Sequence, residues 1–93
     1  MAFIDVMNKL SSDKKNPPAK FTDWKDFWEK RKNVKALKCK VMNCQNAADA
    51  GIHVIKTKDA EREYIVPVCE ECLKKAEYNP LKVWDKELVP VIE

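Results

Sequence analysis

The sequence predicts a small α+β domain, and three features carry that reading. Residues 21–38 form an aromatic-rich stretch of helical period. Residues 52–57 and 62–68 are β-branched runs split by a short polar turn. Four cysteines fall as two close pairs. At 93 residues and 10.8 kDa the chain has the length of one domain. A core of that size is marginal unless something staples it.

Composition removes several classes. The chain is 45% hydrophobic and 35% charged with a mean hydropathy of −0.54, and it has no apolar run near the roughly 18 residues of a membrane span. One glycine and five prolines exclude collagenous or low-complexity readings and leave no Gly-rich phosphate loop. Residues 1–13 lack a basic n-region followed by a clean apolar h-region, so no secretory signal is expected and the predicted location is cytoplasmic.

In chain order, Phe3, Ile4, Val6, Met7 and Leu10 repeat at i, i+3, i+4 and i+7, which predicts a short amphipathic helix over 3–10. The polar stretch 11–20, with Pro17 and Pro18, reads as a linker, so residues 1–20 form an N-terminal segment ahead of a domain spanning 21–93. Thr22 or Asp23 offers an N-cap to the next helix, expected over 21–38. Trp24, Phe27, Trp28, Arg31, Val34 and Leu37 recur on it near the 3.6-residue period. Residues 39–79 form a metal module: a cysteine loop, a hairpin with a turn of about four residues at 58–61, the second cysteine pair, and a helix over 73–78 stopped by Asn79-Pro80. Pro67 is expected to end the second hairpin strand or to lie at its edge. Residues 80–93 are a tail ending in a short strand near 88–92.

Cys39 and Cys44 are spaced C-x4-C, Cys69 and Cys72 are spaced C-x2-C, and 24 residues separate the pairs. Each short loop can bring two sulfurs onto one ion, and the hairpin between them can bring the pairs together into a tetrahedral four-thiolate site. One structural Zn²⁺ is the expected occupant, because zinc favours all-sulfur tetrahedral sites and brings no redox chemistry. Rivals are two disulfides, which need an oxidising compartment, a redox-active Cys69–Cys72 pair, which leaves Cys39 and Cys44 unexplained, and four-thiolate iron.

Charge is segregated. Residues 14–40 carry ten Lys/Arg against three acids, a surplus of +7, while residues 41–93 carry −3. Such asymmetry marks either a nucleic-acid footprint or a solvated helix face. On the first reading the contacts are Lys30, Arg31, Lys32, Lys35, Lys38 and Lys40. The aromatic face of the helix (Trp24, Phe27, Trp28) is expected to pack in the core; read as an interface, it supports a protein-interaction module or self-association.

The lone histidine, His53, opens the first hairpin strand in Gly51-Ile52-His53-Val54, and Tyr64-Ile65-Val66-Pro67-Val68-Cys69 leads into the second cysteine pair. The order of cysteine pair, His-bearing strand, hairpin, Val-Pro-Val-Cys-x2-Cys and helix resembles the zinc-containing HNH, or treble-clef ββα-metal, endonuclease-like family over residues 39–79. The resemblance implies a treble-clef-like fold with the four cysteines on structural zinc. It also implies His53 as the general base of metal-assisted phosphodiester hydrolysis. The chain departs from the family pattern at Ile52, where an acidic or histidine ligand is expected, and at Leu73, where Asn or His is common. Asn79 and Asp49 are the nearest substitutes. A lone base without a metal to stabilise the transition state is a poor nuclease. The expected function is therefore a non-enzymatic zinc-stabilised module that contacts nucleic acid. A protein-interaction module and an HNH-type nuclease are the alternatives. In the non-catalytic case His53 is expected to support the zinc by hydrogen-bonding a cysteine sulfur.

Overall fold

A computed structural model describes residues 3–8, 21–76 and 78–91. The elements run β1 (Phe3–Asn8), α1 (Trp24–Lys32), β2 (Ala50–Lys56), β3 (Asp59–Val68), α2 (Glu70–Ala76), β4 (Leu81–Trp84), a 3₁₀ turn (Asp85–Glu87) and β5 (Val89–Pro90). The strands form one antiparallel sheet in the order β4-β1-β2-β3-β5. The α+β class is as expected. Among the described residues no helix is long and apolar enough to cross a membrane.

The N-terminal segment differs from its expectation. Residues 3–8 are a strand, not a helix, and that strand lies inside the sheet between β2 and β4, with Val6 opposite both Lys56 and Leu81. In six residues a helical period and a strand period share most of their apolar positions, so pairing decides. Val6 is fully buried and Ile4 half-buried, while Phe3, Asp5 and Met7 face outward, a period of two. Residues 3–8 therefore share one sheet with the hairpin of the metal module. The expected linker over 11–20 lies outside the described residues.

Helix α1 begins where capping chemistry places it. Asp23, in extended backbone, accepts a hydrogen bond from Asp26 N at 2.7 Å, and the Asp26 carboxylate accepts from Thr22 N at 3.1 Å. The helix ends at Lys32, six residues short of the expected 38, because Asn33 takes the left-handed conformation (φ 58°) that few residues other than Gly, Asn and Asp adopt readily. The chain then leaves the helix, and the Glu29 carboxylate catches Ala36 N at 2.8 Å.

The hairpin is tighter than expected. β2 and β3 run until Lys56 pairs with Asp59, leaving Thr57 and Lys58 as the turn, and a register shift between Val54 and Lys56 takes up three extra residues on the β3 side. Pro67 is paired within β3, one residue before its end. Its carbonyl accepts from Lys40 N at 3.0 Å, so its missing N–H also points away from β2 and costs the β2 ladder nothing. The terminal strand shrinks to Val89–Pro90, and α2 starts earlier than expected, immediately after Cys69.

The sheet separates two cores. On one face α1 packs Phe27 and Trp28 against Ile65, Ala36, Ala48 and Val89. On the other, α2 and the cysteine loop cover Val6, Ile52, Val54, Val66, Val68, Leu81 and Val83. Gly51 sets the spacing on the α1 side. A Cβ there would lie 2.8 Å from Trp24 C and from Lys25 N, both backbone atoms that cannot swing aside. Gly51→Ala is therefore expected to push α1 off β2 and to destabilise the fold by about 1–3 kcal/mol, the usual overpacking range. A thermal melt reads this as a Tm loss of several degrees; an unchanged Tm would mean that α1 is not seated on β2 as described.

Candidate metal centre

Two backbone devices carry the four cysteines to one point. The first is a tight turn: Cys44 N donates to Val41 O at 3.1 Å, and Asn43 takes a left-handed φ of 64°, a conformation Asn tolerates. Cys39 N donates to Asn46 O at 2.8 Å and closes the loop on itself, and Met42 N donates to Lys82 O at 2.8 Å and ties the turn to β4. The second device is the end of β3 running straight into α2, which places Cys69 immediately before the helix and Cys72 within its first turn. Asp49 locks this junction by accepting from Glu70 N at 2.8 Å.

The four sulfurs all lie within 4.8 Å of one another, and Cys44 Sγ is 3.7 Å from Cys69 Sγ. Four sulfurs bound tetrahedrally at about 2.3 Å stand about 3.8 Å apart, so the cluster is sized for a single ion. All four cysteines are free thiols rather than disulfides, with Cys39, Cys69 and Cys72 buried and Cys44 half-buried. The cluster can hold one metal ion through Cys39, Cys44, Cys69 and Cys72, and with four protein sulfurs it has no open coordination position for substrate.

Electrostatics differ across the set. Burial pushes the Cys39 thiol up to about 11, and burial followed by its contact with Cys69 raises Cys72 further. Cys69 goes the other way. Burial raises it, but Cys72 N at 3.4 Å and the Asn46 amide at 3.5 Å stabilise the thiolate and bring it down to about 7. Asn46 is a support that the sequence reading missed; it lies in an irregular loop where no periodicity or motif marks it. Asp49 was visible in the sequence, but its partner, an α2 backbone N–H, was not.

His53 is not brought to the cysteines. Alternation along β2 puts it on the opposite sheet face from Ile52 and Val54, which share their core with Cys39, Cys69 and Cys72. It is 1% exposed and stacks edge-to-face on Trp24 with ring centroids 4.4 Å apart. The expectation that it hydrogen-bonds a cysteine sulfur is therefore corrected, since the sheet stands between them. A general base also needs access to water, and at this position the imidazole is sealed beneath α1.

No family model, curated protein or solved structure matches this chain.

The six basic residues are placed unequally. Lys30 pairs with Asp26 at 3.1 Å, and Arg31 lies over the Phe27 ring at 5.2 Å. Lys32 Nζ donates to Lys86 O at 2.6 Å. Lys40 sits 3.6 Å from the Glu87 carboxylate and 5.5 Å from the Trp28 ring centroid. Lys35 and Lys38 project from the segment that follows α1. The aromatic face of the helix packs in the core as expected, with Phe27 and Trp28 fully buried and Trp24 half-buried against His53 and Phe27, so the alternative interface reading has no exposed ring among these three.

Proposed function

We propose that this chain is a non-enzymatic binding module built around one structural Zn²⁺, and that its partner is nucleic acid. The observation that carries the structural role of the ion is the closure of four cysteine sulfurs on one point, which leaves an ion there no vacant position. Zinc is the ion that this donor set favours in a site with no redox role. The order of turn, hairpin, Cys-x2-Cys and helix supports a treble-clef-like module, and the buried setting of His53 favours binding over hydrolysis. The partner is argued from charge. Residues 30–40 hold six Lys/Arg and no acid, and Lys30, Arg31, Lys35 and Lys38 are exposed along that stretch. Lysines that meet phosphates without reading base edges give weak, sequence-tolerant, salt-dependent binding.

The test incubates the zinc-loaded protein with labelled duplex and single-stranded DNA in Mg²⁺ and resolves it on native and denaturing gels. The expected result is a shift with intact strands that fades by tenfold or more between about 50 and 200 mM salt. It weakens further when Lys35 and Lys38 are changed to Gln. A shift indifferent to salt, or none at all, overturns the nucleic-acid reading. Mg²⁺-dependent cutting that disappears in His53→Ala with zinc content retained overturns the non-enzymatic one.

A further inference from the structure

On the side of the sheet where β4 meets β1, Phe3 and Trp84 are direct cross-strand partners, their rings edge-to-face with centroids 4.9 Å apart. They form one wall of an open groove of about 370 Å³, whose other wall is the cysteine turn, including Met42. Phe3 is 39% exposed and Met42 36%, so this is a cluster of uncovered large side chains rather than a single stray one. Cations gather at the rim. The exposed Lys86 holds its ammonium 4.8 Å from the Trp84 ring centroid, and Lys40 also lines the groove. Lys32, the last residue of α1, is bonded to the Lys86 carbonyl, which joins the basic end of the helix to the same rim. Among the described residues that line the groove the one carboxylate, Glu87, is already engaged by Lys40.

A groove that combines an exposed Phe3 ring and a half-buried Trp84 ring with cations along its edge is suited to unstacked bases on a phosphate backbone. Every base has a π-face to lay against a ring, and duplex DNA offers none. Resting on the nucleic-acid reading above, we infer that this groove takes single-stranded nucleic acid, with a base on Phe3 and Trp84 and the adjoining phosphates on Lys86, Lys40 and Lys32. A base that enters takes the Trp84 face that Lys86 now covers, and the freed ammonium is then one flexible side chain away from the phosphate. The inference differs from simple charge attraction because it demands the rings.

The experiment compares zinc-loaded wild type with Trp84→Leu and Phe3→Leu, which keep an apolar side chain at each position. The probes are a labelled oligothymidylate of about 12 nucleotides and a duplex of the same length. Each ring substitution is expected to weaken the oligothymidylate by about tenfold, the scale of one lost stacking contact, with duplex affinity unchanged. Equal affinity of wild type and both variants for the oligothymidylate overturns the groove while leaving charge-driven binding standing. Binding of neither probe by wild type overturns the nucleic-acid reading itself. A second measurement needs no variant: ultraviolet cross-linking of a bromodeoxyuridine-substituted strand to wild type is expected on Phe3 or Trp84, and cross-links confined to other residues overturn the proposal.

Discussion

Stripping the metal from the zinc-loaded protein is expected to unfold it. Zinc held by four thiolates contributes an apparent binding energy on the order of 10 kcal/mol, comparable to the whole stability of an ordinary small domain at about 5–15 kcal/mol. The cysteine cluster joins the turn at residues 39–44 to the junction of β3 and α2, and three of its cysteines are part of the core beneath the sheet. Without an ion, the same place becomes a buried knot of thiols, which are weak donors and weak acceptors. Cysteines released into the unfolded chain titrate near their ordinary value of about 8.5 and are mostly protonated at neutral pH. Metal uptake therefore releases their protons, and affinity rises with pH. Cys72→Ser is expected to abolish cooperative unfolding altogether, because one serine removes a ligand and leaves a hydroxyl where only 5% of the residue meets solvent. Near-ultraviolet circular dichroism with and without a strong chelator reads both effects. A chelated protein with unchanged spectra and melting would show that the cysteines do not hold a structural ion.

That centre was legible in the sequence because its spacing is a chemical requirement. Two short cysteine loops separated by a hairpin can meet at an ion, and the intervening β-branched runs declare the hairpin. What spacing could not supply was the wider sheet. Residues 3–8 are too few for the helical and strand periods to part, and their strand identity comes from β2 and β4, whose paired residues lie 46 or more positions away in sequence. Asn33 shows the same limit at shorter range. The apolar recurrence at Val34 and Leu37 continues the helical period, but a left-handed Asn33 ends α1, and those two side chains finish 53% and 74% exposed. The Asp23 cap, by contrast, needs only its own next three residues, and it was readable. His53 was misplaced for a topological reason. Sequence set it beside Ile52 and the cysteine module, while the pleat of β2 sends adjacent side chains to opposite faces and gives His53 to α1.

Trp28→Ala is expected to be the most damaging single change outside the cysteines. Trp28 is fully buried at the centre of the α1 core, and its indole Nε1 donates to Glu87 O at 2.7 Å, spanning 59 positions of sequence to fasten α1 to the turn between β4 and β5. Truncation removes the largest fully buried side chain of the α1 layer and leaves a cavity, a loss of about 3–5 kcal/mol. The abandoned Glu87 carbonyl adds roughly 1 kcal/mol if no water replaces the indole. For a domain of this length each kcal/mol moves Tm by about 4–8 °C, so the variant should melt at least about 15 °C lower. Trp28→Phe separates the two contributions: it restores most of the ring and keeps the carbonyl unanswered, and should lose about 1–2 kcal/mol. Because Trp28 and the cysteines belong to separate packed clusters, both variants should retain full metal stoichiometry when folded. Urea unfolding of the metal-loaded proteins, with metal content measured alongside, decides the matter. A Trp28→Ala loss below about 1 kcal/mol would mean that α1 is an appendage to the sheet, and metal lost in step with stability would mean that the two cores are not independent.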